Sequence, residues 1–156
     1  MKKYLYIILI SMLPLIELRG AMPVALGAGM DMLPALILCV VSNMLPVPII
    51  YFFARKFLLW GAKQKYIGKF CNFFVEKGER GGQKLVAKTG RGGLFLALLL
   101  FVGIPIPGTG AWTGTLAASF LDIGFKTTVV AVCLGVILAG CIMGVASLGV
   151  FSLIGL

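Results

Sequence analysis

Two long runs of uncharged residues constrain the fold of this chain most strongly. Residues 32–54 and 127–156 contain no Asp, Glu, Lys or Arg. Each run exceeds the roughly 20 apolar residues that an α-helix needs to cross the hydrocarbon core of a bilayer. The chain is also 60% hydrophobic, with a mean hydropathy of +1.08, well above the usual composition of soluble domains. The sequence therefore predicts an all-α integral membrane protein with transmembrane helices over residues 32–54 and 127–150.

Most of the positive charge lies between these two runs. The chain has 14 Lys and Arg against 5 Asp and Glu, a formal net charge of +9. Ten of the basic residues fall within residues 55–93: Arg55, Lys56, Lys63, Lys65, Lys69, Lys77, Arg80, Lys84, Lys88 and Arg91. The positive-inside rule assigns such a segment to the cytoplasm. Because basic loops beside spans normally reflect topology and anionic lipid, nucleic acid is not an expected partner.

The same region carries apolar side chains at three- and four-residue intervals: Phe53, Phe57, Trp60, Ile67, Phe70 and Phe74. This spacing is typical of an amphipathic helix lying in the membrane interface. The glycine-rich sequences "GERGGQ" and "KTGRGG" then predict a flexible hinge over residues 78–93. The alternative is that residues 55–93 form a solvated connector throughout.

The chain on either side of this basic loop has the same order of segments. A short apolar segment (4–16), a Pro- and Gly-broken stretch (17–29) and a long apolar run make up residues 1–54. Residues 94–156 repeat that order. The second short segment is 94–106, the second broken stretch is 107–119, and the long run from 127 follows. The sequence therefore predicts two repeats of one design.

The two short apolar segments are too short to span a membrane comfortably. A helix of that length rises about 20 Å, against roughly 30 Å of hydrocarbon. We therefore predict two inverted repeats, each a re-entrant helical hairpin (4–29 and 94–119) followed by a transmembrane helix, with the hairpin turns in the broken stretches. The alternative is that residues 4–16 span the membrane and lead into an ordinary wet loop, which places the N-terminus beside the basic loop.

Glu17 and Arg19 are unusual charges for a hairpin tip within the membrane. Intramembrane charges are costly and need a partner. Positions i and i+2 of a helix do not face each other. The two side chains therefore either pair across a bend in the chain or partner the opposite hairpin. That hairpin offers the hydroxyls of Thr109, Thr113 and Thr115, the indole of Trp112, and amides around Gly108 and Gly110.

The residues that support hydrolytic chemistry or metal binding are sparse. The chain contains no histidine, and its acids are Glu17, Asp31, Glu76, Glu79 and Asp122. Cys39, Cys71, Cys133 and Cys141 are scattered without a C-x-x-C motif, so they are interpreted as apolar filler. The sequence predicts no metal, no cofactor and no enzymatic activity. Coupling to protons or Na⁺ stays open.

Glycines recur along the last apolar run at Gly135, Gly140, Gly144 and Gly149, and "GCIMG" is a G-x-x-x-G motif. Such a motif permits close helix contact, either within the chain or across a dimer. Because two spans and two hairpins enclose little volume, we predict a homodimer. The N-terminal "MKKYLYIILISML" resembles a signal peptide but lacks a small-x-small cleavage site, so we predict that it stays in the mature protein.

Two stretches resemble a known family. "ELRGAMPVALGAG" followed by a span, the basic loop, and "GIPIPGTGAWTGTLAASFLDI" resemble the small multidrug export protein family of bacteria and archaea. That family is similar to the DedA superfamily, whose members have two facing re-entrant hairpins and several of which are implicated in moving lipids such as undecaprenyl phosphate. The resemblance marks Glu17, Arg19, Gly20, Pro23, Pro105, Pro107, Gly108, Gly110, Trp112 and Gly114. DedA-like proteins typically place an arginine in the second hairpin, and residues 94–121 contain none.

The resemblance implies a multi-pass protein of the bacterial or archaeal inner membrane that acts as a transporter or lipid translocase. The expected substrate is amphiphilic and anionic, such as a polyprenyl phosphate, and passes through a cavity between the hairpins. The predicted substrate-binding residues are Glu17, Arg19, Gly20, Pro23, Pro107, Gly108, Thr109, Gly110, Trp112 and Thr113. The alternatives are a small-molecule or multidrug exporter and a scaffold that binds anionic lipid through its basic loop.

Overall fold

The computed structural model describes residues 2–13, 16–63, 68–106 and 108–154. These ranges form helices and connections without a strand, which confirms the all-helical prediction. The helices are α1 (Lys2–Met12), α2 (Glu17–Gly27), α3 (Met32–Met44), α4 (Pro46–Ala62), α5 (Gly68–Gly103), α6 (Ala111–Phe120) and α7 (Phe125–Ile154).

Two stretches of helix are long and apolar enough to cross a membrane. They are Met32–Gly61, which joins α3 and α4, and Phe125–Val150 in α7. Large apolar side chains point outward from both: Ile49 is 70% exposed and Val145 is 65% exposed. Exposed surfaces of this kind suit lipid rather than water. Two candidate spans are therefore present, as the uncharged runs predict.

The first span runs further than predicted. A continuous helix was expected over residues 32–54, and the backbone keeps helical angles through Leu45 (φ −58°, ψ −45°), where α3 meets α4, and continues to Ala62. Pro46 and Pro48 have no backbone N–H, so hydrogen bonds to the carbonyls of the preceding turn are missing at this junction. The junction falls near the middle of the span.

The two spans run antiparallel. Near one end, a Cβ on Gly144 would lie 2.8 Å from Met32 Cε. Near the other end, the Tyr51 hydroxyl donates a hydrogen bond to Ile123 O (2.7 Å), and the rings of Phe52 and Phe125 lie 4.8 Å apart. As the residue numbers rise along α3 and α4, the numbers of the residues that they contact in α7 therefore fall.

The G-x-x-x-G face of α7 packs inside the protomer. Gly140 is buried against Leu36 and Leu18, and Gly144 against Met32 and Met22. Of the two alternatives that the motif left open, contact within the same chain is the one observed. Close approach of α3 and α2 to α7 requires these glycines, because a side chain there would occupy the space of their neighbours.

Helices α1 and α2 form a hairpin beside the start of α3. Lys3 Nζ donates to Ala28 O (3.2 Å), so α1 begins beside the end of α2. Ser11 Oγ donates to Cys39 O (2.9 Å), so the end of α1 lies well along α3. The connection between α1 and α2, after Met12 and before Glu17, therefore lies deep along the spans.

The predicted position of this first turn was wrong. Residues 17–29 were expected to form it, but Glu17–Gly27 is helical and contains Pro23 in its interior. A proline inside a helix removes one hydrogen bond, a loss that the packing of a buried helix face offsets. Ala21, Met22 and Ala25, on that face, are fully buried.

Helices α5 and α6 form a second hairpin that starts at the opposite end of the spans. Along α5, Leu99 O and Val102 lie against Gly135, and Leu138 lies against Gly103. At the end of α6, Ser119 Oγ donates to Tyr51 O (3.1 Å) on α4. The break between these helices lies after Gly103 and before Ala111, so it overlaps only the start of the expected turn stretch 107–119, whose remainder from Ala111 is helical.

The glycine-rich sequence of residues 78–93, which precedes the apolar end of α5 (residues 94–103), is mostly helical. A hinge was predicted over residues 78–93, and two helical parts of α5 (Gly68–Gly103) do meet at a kink in this range, at Gly90 (φ 69°, ψ 177°), although the residues on either side of Gly90 are helical rather than a loop. Each glycine lowers helix stability by about 1 kcal/mol, a preference that the surroundings of a helix commonly override. The interruption is therefore one kink rather than a loop.

Candidate functional site

The two hairpin turns meet halfway along the spans. Glu17, Leu18 and Arg19 of the first hairpin lie beside Gly110 and Ala111 of the second. The same small cavity is lined by Asn43, close to the junction of α3 and α4, and by Val136 and Ala139 in the middle of α7. The site therefore lies near the centre of the predicted membrane layer.

Glu17 binds the start of α6. Its Oε2 accepts a hydrogen bond from Ala111 N (3.2 Å) and its Oε1 accepts one from Trp112 N (3.1 Å). These are the first two amides of α6, which have no intrahelical partner and carry the positive end of the helix dipole. The side chain is 6% exposed. A carboxylate from one hairpin thus caps a helix of the other.

The backbone of Glu17 adopts an uncommon conformation. Its φ is 48°, in the left-handed region that costs a non-glycine residue about 1–3 kcal/mol. Its amide still donates to Leu13 O (2.9 Å), so the turn that precedes α2 stays hydrogen-bonded. The surrounding contacts therefore hold the residue in a conformation that its own sequence does not favour.

Gly110 makes the approach of Glu17 possible. A Cβ at this position would overlap Glu17 Oε2. Residue 110 is the N-cap of α6, where a short polar side chain usually accepts these amide hydrogen bonds. Here the carboxylate of Glu17 takes that place, while Thr113 Oγ1 accepts the Gly110 N–H (2.8 Å).

Arg19 binds the end of α5 and the chain just after it. Its Nη2 donates to Val102 O (3.4 Å) and to Ile104 O (3.2 Å), and its Nη1 donates to Ile106 O. Nη2 also donates to Thr109 Oγ1 (2.9 Å). These carbonyls lie at the C-terminal end of α5, which carries partial negative charge, and Ile104 O and Ile106 O also accept hydrogen bonds from within the turn.

One side chain of the second hairpin donates a hydrogen bond to the first hairpin. The Trp112 indole Nε1 donates to Met12 O (3.2 Å), the last residue of α1. We call Glu17, Arg19 and Trp112, with the backbone groups that they bind, the central clamp. Within it, both charges of the first hairpin partner the second hairpin, which is the second of the two arrangements that their spacing left open.

The other predicted site residues lie around the central clamp. Thr113 caps α6, as described above. Gly20 packs inside the first hairpin, where a Cβ would overlap Ile16 Cγ2. Pro23 lies further along α2, and Gly108 is exposed in the turn with φ of 87°. Pro107 lies outside the described residues.

The cavity at the central clamp is small. Its volume of about 10 Å³ is close to that of a single water molecule. It therefore has no space for an amphiphilic substrate, and the hairpins are closed against each other in this conformation.

Asn43 was not among the predicted site residues. The residue is 1% exposed, and its Oδ1 has no hydrogen-bond partner among the described residues. Such an orphan acceptor is unusual, because buried polar side chains are normally paired. Its signal in the sequence is a carboxamide inside an otherwise apolar run, directly before the two prolines of "SNMLPVP".

A second polar cluster lies at the end of the spans that adjoins the basic segment. Arg55 and Asp122 form an ion pair and are about half exposed. An open cavity of about 450 Å³ lies on the same side of α4, lined by Phe52, Arg55, Lys56, Leu59, Trp60 and Lys63. Cations and aromatic rings together are typical of the cytoplasmic membrane interface.

Within the described ranges, no group of three or more His, Cys, Asp or Glu side chains could hold a metal ion. Cys39, Cys133 and Cys141 are free thiols.

The chain matches the model of one protein family over most of its length. The family model described as "Putative small multi-drug export protein" matches residues 17–142, which is well over half of the chain. No curated protein and no solved structure matches the chain. The matched range begins at Glu17 and includes both sides of the central clamp.

Proposed function

Because the chain belongs to the small multi-drug export protein family, we propose that it is a multi-pass transporter of the bacterial or archaeal inner membrane. It moves amphiphilic molecules with an anionic head group between two re-entrant hairpins that form an inverted repeat. The observation that carries this proposal is the central clamp, in which a carboxylate and a guanidinium bind broken helix ends near the middle of the spans.

Broken helices at this depth favour a transport site. Irregular backbone is tolerated inside a membrane only where protein or a watery cavity covers it. In many transporters, interrupted helices of two repeats meet near the bilayer midplane and form the binding site there. The connections between α1 and α2 and between α5 and α6 meet this description.

The donors of the central clamp favour an anionic head group. The amides of Ala111 and Trp112 are aligned at a helix N-terminus, a common site for phosphate and carboxylate groups. The guanidinium of Arg19 lies on the other side of the same break and binds phosphate better than it binds neutral carbonyls. In the closed conformation, Glu17 occupies the place that we assign to the substrate's head group.

Transport then requires the hairpins to separate. Because the closed cavity is no larger than about one water molecule, a substrate gains access only after Glu17 leaves α6 and Arg19 leaves α5. The central clamp is therefore the closed gate, and its charged groups become the binding site when it opens.

Reconstitution tests this function directly. Purified protein in vesicles is expected to expose a fluorescent polyprenyl phosphate to the opposite leaflet faster than protein-free vesicles do. Arg19→Gln should abolish the increase, while Arg91→Gln, which removes an exposed arginine of α5 outside the central clamp, should keep it.

The substrate series separates the alternatives. A zwitterionic lipid and a cationic amphiphilic dye serve as comparison substrates. Export of the dye alone favours the multidrug function that the family description names. Failure to move any of the three, with the protein correctly folded, contradicts the transport function and favours a scaffold.

A further inference from the structure

The orphan acceptor Asn43 lies across a cavity from the only carboxylate of the central clamp. Asn43 and Glu17 line the same cavity of about 10 Å³, close to the size of one water molecule. The carboxamide is 1% exposed and its Oδ1 has no partner among the described residues. A buried acceptor left in this state favours any rearrangement that supplies a donor.

The surroundings of Glu17 contain one charged group that faces it. Arg19 lines the same cavity from α2. Residues 94–121, which include α6 and the apolar end of α5, carry no charge, and neither do residues 32–54. From α7, the cavity is lined by Val136 and Ala139, and the charged residues of α1 lie at its other end, near Ala28.

We propose that Glu17 and Asn43 form a proton-binding site that opens the central clamp. A proton from water forms an O–H bond on the Glu17 carboxylate, and the neutral carboxyl group donates this hydrogen to Asn43 Oδ1. A neutral carboxyl group is a weaker acceptor than a carboxylate, so the amides of Ala111 and Trp112 are released. The proton comes from a hydronium ion, whose O–H bond breaks to leave a water molecule, and no other covalent bond forms or breaks.

Protonation of Glu17 also frees binding groups for an anionic head group. With Glu17 neutral, the carboxylate that would repel an anion is gone, and the two amides and Arg19 are free to bind the head group. The link to transport rests on the proposed function, but the proton site itself does not. The inference deepens the proposed function by assigning it a proton as coupling ion.

Trp112 provides a reporter at the site. The chain has two tryptophans, so Trp60→Phe leaves Trp112 alone. The Trp112 amide binds Glu17 and its indole binds Met12 O, and both contacts belong to the central clamp. The emission of Trp112 in lipid nanodiscs, titrated from about pH 4 to 9, covers the range in which buried carboxyl groups titrate.

The expected result is one transition in emission that Glu17→Gln removes. Asn43→Val deletes the acceptor of the neutral carboxyl group, which destabilises the protonated form, so the midpoint should fall by about one pH unit. Ser42→Ala serves as the matched control. Its hydroxyl bonds to Leu38 O of its own helix, so the wild-type midpoint should be kept.

Three results overturn the proposal: no transition in the Trp60→Phe protein, a transition that persists in Glu17→Gln, or an unchanged midpoint in Asn43→Val. If Glu17→Gln does not fold, the midpoint of the Asn43→Val protein still decides whether the proposal holds. The titration needs no transport, so vesicles that move no substrate, combined with the expected midpoint shift, refute the proposed function and leave the proton site standing.

Discussion

Glu17 binds the amides that open α6, while Arg19, two residues later, binds the carbonyls that close α5. One short segment of the first hairpin therefore holds both ends of the break in the second. The signs of the two charges match the two helix dipoles, since the acid lies at an N-terminus and the base at a C-terminus. This explains why so apolar a chain keeps two adjacent charges at this position.

Gly110→Ala should destabilise the protein strongly. The added Cβ overlaps Glu17 Oε2, so the carboxylate must leave two buried amides that then lack a partner. We expect a loss of about 1–3 kcal/mol of unfolding free energy, measured as a lower midpoint of thermal unfolding in detergent.

Gly124→Ala is the matched control for that substitution. Gly124 also precedes a helix, and a Cβ there has open space around it. Its unfolding midpoint should stay near that of the wild type. Equal midpoints for Gly110→Ala and Gly124→Ala would mean that Glu17 does not need the space above Gly110.

Single neutral variants of the charged pair should both lose stability and transport. Glu17→Gln removes the charge that complements the α6 dipole, and Arg19→Gln removes the charged donor to the carbonyls at and after the end of α5. Each should cost about 1–3 kcal/mol by chemical or thermal unfolding. The loss of Arg19 should affect anionic substrates more, because it removes the head-group cation.

The double variant Glu17→Gln/Arg19→Gln should recover stability more than activity. Neither charge is then left buried with its counter-charge missing, but the anion-binding guanidinium is gone. A double-mutant cycle measures the coupling between the two positions. Wild-type stability and transport in both single variants would show that the pair is not a functional part of the central clamp.

Much of the architecture follows from simple features of the sequence. The uncharged runs predicted both spans, and the charge pattern left two partners open for Glu17 and Arg19, each other across a bend or the opposite hairpin, of which the structure has the second. Their partners could be inferred because a charge in an apolar layer needs a counter-group, and "GIPIPGTGAW" is rich in backbone groups without helical partners. Which amide binds which oxygen depends on tertiary packing.

The errors have a common physical cause. Pro23 and the glycines of "GERGGQ" were interpreted as helix breakers, yet both lie in helices. Local propensities amount to about 1 kcal/mol per glycine and about 3 kcal/mol per proline. In α2, burial of the face formed by Ala21, Met22 and Ala25 outweighs the cost of Pro23. Asn43 was missed for the opposite reason, because its importance arises from an unpaired atom that only the packed structure displays.

Membrane topology provides a test of the inverted repeat. In a cysteine-free version of the chain, single cysteines at residue 28, after α2, and at residue 124, before α7, should react from opposite sides of the membrane. Both positions are exposed, and they lie at opposite ends of the antiparallel spans. A cysteine at residue 89 should share the cytoplasmic side with residue 124. Reaction of residues 28 and 124 from the same side would exclude the inverted arrangement.

Replacement of Gly140 by Ile should destabilise the protomer rather than alter its assembly. The new side chain overlaps Leu36 and crowds Leu18, and overpacking of this kind costs about 1–3 kcal/mol. Gly149→Ile is the control, since a Cβ at Gly149 has open space around it. Thermal unfolding in detergent measures the loss of stability, and light scattering measures any change in the oligomeric state. A changed oligomer distribution with an unchanged unfolding midpoint for Gly140→Ile would instead place this face between protomers of the predicted homodimer.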